Sequence, residues 1–252
     1  MASQLQKKFK VLVVGDTCLD IYRYGTVDRL SPEAPVPVFQ VSHEDQRHGM
    51  AANVKANLEQ LGCQVGIITG NTSIKTRLID QRSKQHIVRI DADSKSDPAV
   101  ILNKIFEEYD AVVVSDYNKG TVTYEILEQI RTNFSGPVFV DTKKTDLARL
   151  DGLVVKINAL EHSRIVSRCT DLIVTQGGDG AVYYSDGVEH CYPGQAVEVS
   201  DVTGAGDTFL AALTYQYLVT NHMKSAIEFA IRASAVTVQH FGVYAPAIEE
   251  IK

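Results

Sequence analysis

Four short apolar runs constrain the fold of this chain more than any other feature: Ala111-Val-Val-Val-Ser115, Pro137-Val-Phe-Val-Asp141, Leu153-Val-Val-Lys-Ile157 and Asp171-Leu-Ile-Val-Thr175. All are rich in β-branched residues. The stretches starting at about Pro98 and about Thr123 read as helices between them. Uniformly apolar strands alternating with helices predict a parallel sheet covered on both faces, an α/β fold. At 252 residues, 44% hydrophobic and 22% charged, the chain suffices for one large domain spanning 1–252. Ligands of such sheets gather at the C-terminal ends of the strands.

Those ends carry Asp116 and Lys119, Asp141 and Lys143, Asn158 and Glu161, then Thr175 with Gly177, Gly178 and Gly180. Carboxylates and amides recurring there can hold magnesium, directly or through its waters. Taken singly, each also suits a helix cap or a turn. A hairpin signalled by Asp186-Gly187 follows, and then Asp201-Val-Thr-Gly-Ala-Gly-Asp207 runs straight into an apolar, Ala-rich helix over 208–218. Gly204 and Gly206 let the backbone deliver N–H groups to that helix N-terminus, which favours a phosphate or a developing oxyanion. Asp207, in the first turn, is placed to take a proton from a hydroxyl attacking phosphorus. The same residues also read as an ordinary capped helix, with Thr203 or Asp201 as cap and Asp207 complementing the dipole. Another amphipathic helix is expected from Met223 to about Gln239, then a short tail from Gly242 to Lys252.

Earlier in the chain, Phe9 to Val14 predicts a buried strand closed by Gly15, with Asp16 and Asp20 at its mouth. Two carboxylates there suit a polyhydroxylated ligand, or a solvated turn. Pro32, Pro35 and Pro37 exclude a helix or central strand from 29–41 and leave an extended flap, an edge that a second copy of the chain often covers. His48-Gly-Met-Ala-Ala-Asn53 opens a predicted helix to about Leu61, with Gly49 admitting a ligand close to the backbone and Asn53 offering donor and acceptor. Three strands are expected at 65–69, 76–80 and 86–91, so that lid strands fall within about 16–48 and 75–91. Arg77, Arg82, Lys84 and Arg89 there either face solvent or meet a substrate phosphate.

The formal net charge of −6 argues against nucleic acid as a partner for this chain. Lys7-Lys8-Phe9-Lys10 before Val11 superficially suggests a signal peptide, but the apolar run stops at Gly15, and no run approaches the ~20 apolar residues of a membrane span. The four cysteines are widely spaced, without a Cys-x-x-Cys pair, and the histidines are scattered, so a reducing cytoplasm is expected.

Gly15-Asp16-x-x-x-Asp20, Gly49-Met-Ala-Ala-Asn53, Asn158-Ala-Leu-Glu161, Val174-Thr-Gln-Gly177 and Asp201-Val-Thr-Gly-Ala-Gly-Asp207 stand in one order, from about Lys10 to Pro246. In these motifs the chain resembles the ribokinase-like (PfkB) carbohydrate kinases. Within that family, Arg29-Leu-Ser-Pro-Glu-Ala-Pro-Val-Pro-Val38, Ser115-Asp-Tyr-Asn-Lys-Gly120 and the stretch Arg82 to Asp91 resemble the D-glycero-D-manno-heptose-7-phosphate kinases, which phosphorylate the anomeric oxygen on the route to ADP-heptose. The resemblance implies a three-layer fold with a small β lid, ATP and Mg2+ as cofactors, a small-molecule sugar acceptor and a homodimer through the lid. It implies Asp207 as catalytic base and Gly204, Ala205 and Gly206 as the anion hole. Asp16, Asp20, Gly49 and Asn53 would face the sugar, Thr175, Gly177, Gly180 and Thr203 the nucleotide, and Asn158 with Glu161 the magnesium.

Three features depart from the family pattern. Met50 stands where a second glycine is usual, segments after Gly70 and after Glu161 are short, and the nucleotidyltransferase domain often fused to heptose kinases is not in this sequence. Phosphorylation alone is therefore expected of this chain. A phosphorylated heptose is the expected acceptor and another sugar or sugar phosphate the runner-up; the hypothesis from a different class is a non-catalytic relative that binds nucleotide or sugar as a regulator, which the short segments and Met50 favour and an intact Asp207 opposes.

Overall fold

The computed structural model describes residues 8–251; Lys7 of the basic stretch, the start of the 1–252 domain and Lys252 at the tail lie outside the described residues. The fold is built on a ten-stranded sheet in the order β10-β9-β8-β7-β6-β5-β1-β3-β4, with β2 attached to β1 beside that path. The strands are β1 (Lys10–Leu30), β2 (Pro37–Met50), β3 (Gln64–Asp80), β4 (His86–Ala92), β5 (Ala111–Asp116), β6 (Val138–Thr142), β7 (Val154–Asn158), β8 (Leu172–Thr175), β9 (Gly180–Ser185) and β10 (Val188–Pro193). The central strands β3, β1, β5, β6, β7 and β8 run parallel, and β9, β10, β4 and β2 are antiparallel to their neighbours.

Alternation along each strand divides the core in two. Val11, Val13, Val113, Phe139 and Ile173 pack under α1 (Ala51–Gln60), α4 (Ala205–Thr220) and α5 (Met223–Thr237). Leu12, Val14, Val112, Val114, Val140 and Val155 face the other way, toward α2 (Tyr124–Asn133) and the 3-10 turn Leu147–Leu150. Two helical layers thus enclose the sheet as the alternating strand pattern predicts. At roughly 1.5–3 kcal/mol for each fully buried aliphatic side chain, this double core dominates the stability.

The first half departs from the sequence reading in four places. Phe9–Val14 does not end at Gly15: β1 continues through Asp16 and Asp20 to Leu30, with a register shift against β3 between Gly15 and Thr17. The strands expected at 65–69 and 76–80 are one strand, β3, whose outer half pairs with the outer half of β1 and with β4. His48 to Met50 end β2 rather than open α1. The helix expected from Pro98 is only a 3-10 segment, Asn103–Glu108, because Ser96 and Ala99 direct their N–H groups to the carbonyls of Lys119 and Thr121 instead of an i−4 ladder. The flap expected at 29–41 is only partly separate: Arg29 and Leu30 end β1, residues 32–36 bend, and β2 begins at Pro37, joined to the sheet through β1 alone.

Candidate active site

At the head of α4, Gly204 is the N-cap in the left-handed region, φ 81°. A side chain there would be strained and would also lie 2.8 Å from Asn53 Nδ2, so glycine is required twice over. Ala205 N–H reaches Val202 O at 3.3 Å, and the amides of Gly206 and Asp207 follow in the opening turn. Thr203 donates both its N–H and its hydroxyl to Asp201 Oδ1, at 2.9 and 2.7 Å.

Asp207 is 4% exposed. Its Oδ2 accepts from Asn53 Nδ2 at 2.9 Å and its Oδ1 from the Tyr117 hydroxyl at 3.1 Å. The Asn53 amide is itself oriented: Asn57 donates to its Oδ1, and Thr208 donates to Asn57 Oδ1 at 2.9 Å. Burial pushes the Asp207 carboxyl up to about 6, with Asn53 opposing and Asp141 reinforcing the rise. Such a group is largely ionised at neutral pH yet takes a proton readily, which suits a general base. Burial, then the charge of Asp207, raises the Tyr117 phenol well above its usual range, so it remains a donor.

Beneath the loop lies Lys156, buried and 2.9 Å from Asp141 Oδ2. A side chain on Gly206 would come within 2.9 Å of its ammonium nitrogen, so the absence of one brings loop backbone and cation together. Burial opposes this charge, but Asp141, Glu161 and Asp207 outweigh it and raise the lysine pKa.

A cleft of about 280 Å³ runs away from the loop. Thr175, Gly177 and Gly180 line one side, Ala205 and Gly206 its end, and apolar residues including Val202, Phe209 and Ile231 the rest. The cleft unites these residues from β8, the following turn, the start of β9, the loop before α4, α4 and α5. It does not take in Thr203, Asn158 or Glu161.

On the lid side, Asp20 pairs with Arg77 and receives the Cys18 thiol at 3.4 Å. Burial and the Asp20 charge push that thiol up to about 12, so it stays protonated. Gly49 is paired with Cys18 across β1 and β2, and a side chain there would lie 2.6 Å from Asp20 Oδ2. Asp16 is buried and accepts from the main-chain N–H groups of Tyr117, Lys119 and Thr121, so it fixes the loop that carries Tyr117.

Asn158 and Glu161 form a capping box at α3 (Ala159–His162), and Glu161 also pairs with Lys143. Asp141 is paired with Lys156 and Asp116 with Lys144. Among the described residues no group of three or more His, Cys, Asp or Glu is arranged to hold a metal ion. As folded, these donors are engaged with lysines and caps, and they do not make a resident magnesium cage.

Sequence reasoning missed Tyr117, Asn57 and Lys156. Lys156 left a signal: a lysine inside an otherwise apolar strand needs a buried counter-ion, which Asp141 on the neighbouring strand supplies. Tyr117 showed only as part of the stretch 115–120 and Asn57 not at all, since their partners lie far away in the sequence.

The fold is ribokinase-like. Ribokinase from Thermotoga maritima superposes with a TM-score of 0.74 at 18% identity, covering 96% of this chain and 98% of that one. Arabidopsis thaliana ribokinase complexed with ribose and ATP gives 0.73 at 18% identity, with 97% and 96% covered. The chain belongs to the pfkB family of carbohydrate kinases, whose family model matches residues 67–250. It is also 33% identical to the bifunctional protein HldE of a Nitratiruptor species, over 97% of this chain and 64% of that protein. The corresponding figures for HldE of Helicobacter acinonychis are 31%, 96% and 65%. The chain thus spans a little under two thirds of these relatives. The first alignment runs over 299 residues, more than the 252 of this chain, so the relative carries internal segments absent here.

Proposed function

We propose that this protein transfers the γ-phosphoryl group of ATP to a hydroxyl of a sugar phosphate, with the anomeric hydroxyl of D-glycero-D-manno-heptose 7-phosphate as the acceptor. The observation that carries the reading is the setting of Asp207: a buried carboxylate, pushed up to about 6, one residue beyond the loop that closes the cleft. In this reading the nucleotide lies along the cleft, against Thr175, Gly177 and Gly180, with Thr203 beside its phosphates. The acceptor lies under the lid near Asp20, Gly49 and Asn53, with Asp16 behind them holding the Tyr117 loop. Its hydroxyl takes the place of the Tyr117 phenol at Oδ1, gives its proton to Asp207 and attacks phosphorus in line. The amides of 204–206 and the Lys156 charge stabilise the transferring group. Asn158 and Glu161, paired in the capping box of α3, would hold magnesium through its waters, and the ion would supply charge neutralisation for the nucleotide phosphates.

The choice of acceptor rests on the resemblance of 29–38, 115–120 and 82–91 to the heptose 7-phosphate kinases. The proposed homodimer rests on the exposed apolar side chains of the lid, among them Val41, Val88 and Ile90, and would show as a two-chain mass in sedimentation. The cytoplasmic setting is proposed from the widely spaced cysteines; among the described residues, no helix is long and apolar enough to cross a membrane. The deciding assay measures ADP release from ATP and magnesium across a panel of sugars and sugar phosphates. Turnover confined to the heptose phosphate is expected. Nucleotide binding without turnover on any acceptor would favour the regulator, a reading that the missing internal segments keep in play.

A further inference from the structure

Arg47, near the end of β2, reaches out of the lid. Its Nη1 donates to the carbonyls of Phe241, at 2.8 Å, and Val243, at 3.4 Å. Its Nε holds Asp45 at 2.9 Å, and its guanidinium lies 5.3 Å from the centre of the Tyr22 ring, against which Phe241 packs edge-on. Between the two carbonyls sits Gly242, φ +73°, where a Cβ would lie 3.0 Å from Arg47 Cζ. The N–H of Gly242 donates to Asp201 Oδ2 at 2.9 Å, while Asp201 Oδ1 takes the N–H and hydroxyl of Thr203. Val243 closes the circuit, since its Cγ1 lies 3.1 Å from where a Gly204 side chain would begin.

An unbroken chain of contacts therefore joins the lid to the loop at the head of α4. We propose that Arg47 is a positioning residue that latches the lid to the phosphate loop, so that the lid over the acceptor and the 203–206 amides move as one unit. The ion pair with Asp45 does not explain the arrangement: both partners are partly exposed, and such pairs contribute little. The two carbonyl contacts are what hold the 241–243 loop, and Asp201 passes that constraint to Thr203. The structural link stands by itself; its consequence for turnover rests on the kinase reading above.

The amides of Gly242 and Thr203 are links in the chain, so hydrogen exchange reads it directly without ligand. In the full chain, Arg47→Met should speed exchange about tenfold or more in peptides covering 200–206 and 241–244, and leave β5 at 111–116 unchanged. Asp45→Asn should leave both loops as in the unaltered chain. A folded Arg47→Met protein whose 200–206 amides exchange at the original rate overturns the latch. If Arg47→Met does not fold, Gly242→Ala strains the same latch from the other side and is judged by the same peptides. With ATP and D-glycero-D-manno-heptose 7-phosphate, Arg47→Met should lower kcat about tenfold while the sugar KM stays within about twofold. A rise in KM alone would make Arg47 a ligand contact instead and overturn the proposal. If the unaltered chain shows no turnover, the kinase reading fails and the exchange result still decides the latch.

Discussion

β5 is buried from end to end, whereas β4, in the same sheet, is exposed from end to end. The parallel half has an apolar core on each face, whereas the core cluster of the lid, among the described residues, is the small group Tyr22, Tyr24 and Ile79. Ladder hydrogen bonds, the Asp20–Arg77 pair and two guanidiniums over the Tyr22 ring hold it instead. Two sources of order thus coexist along one strand. Apolar burial makes the scaffold rigid, while polar pairing keeps the lid ordered and able to exchange partners with a ligand.

Asp207 lies at the seam between the two regions, and changing it should have the largest effect. Asp207→Asn is expected to lower turnover by roughly 10²–10⁴-fold, measured as ADP release at saturating substrates, with the fold retained. Near-normal turnover would remove Asp207 from the role of base. Next, Leu210→Ala in the helical layer should cost about 2–5 kcal/mol in urea unfolding, against about 0.5 kcal/mol or less for Ile90→Ala on the open face of β4. Equal losses would break the contrast between core and lid.

A smaller effect follows from the raised Asp207 pKa. Between its unfolded value near 4 and its folded value of about 6, the folded state binds the extra proton, so this group's contribution to stability falls as pH rises through that window. Asp207→Asn should therefore unfold later than the unaltered protein at pH 8, by on the order of 1–2 kcal/mol, and lose the advantage below pH 4. The kcat/KM of the unaltered protein should change in the opposite sense, declining as pH drops below about 6.

The smallest effect concerns the joint between lid and scaffold. Met50, the N-cap of α1, is buried with φ 59° and ψ −132°, a conformation that strains any side chain. Met50→Gly should lower stability by about 1 kcal/mol, because the buried side chain lost and the entropy of a new glycine outweigh the strain relieved, as followed by thermal unfolding. A gain in stability would mean that backbone strain outweighs the packing of the methionine.

The contrast between regions also explains what the sequence disclosed. Ala111–Ser115 and Asp171–Thr175 were legible because strands buried on both faces must be apolar throughout, and the glycine loop before Asp207 because backbone geometry limits which residues fit it. The outer half of β1 was not legible. There Asp16, Cys18, Asp20, Tyr22 and Tyr24 alternate inward, and polar residues turned toward a site look like a loop. The partners of Asp207 were hidden for a different reason. Asn53 and Tyr117 come from α1 and from the turn after β5, and only the folded chain brings them to one carboxylate. Met50 was visible as an anomaly, and its backbone angles supply the physical reason a glycine belongs there.

The passage of β1 from scaffold to lid without a break has a mechanical consequence. A cover joined by loops swings like a door; one spliced into two hydrogen-bonded parallel strands can only flex like a leaf spring, creased at the Gly15/Thr17 step. Its travel is therefore short and elastic, and recoil toward a single rest position is built into the main chain itself.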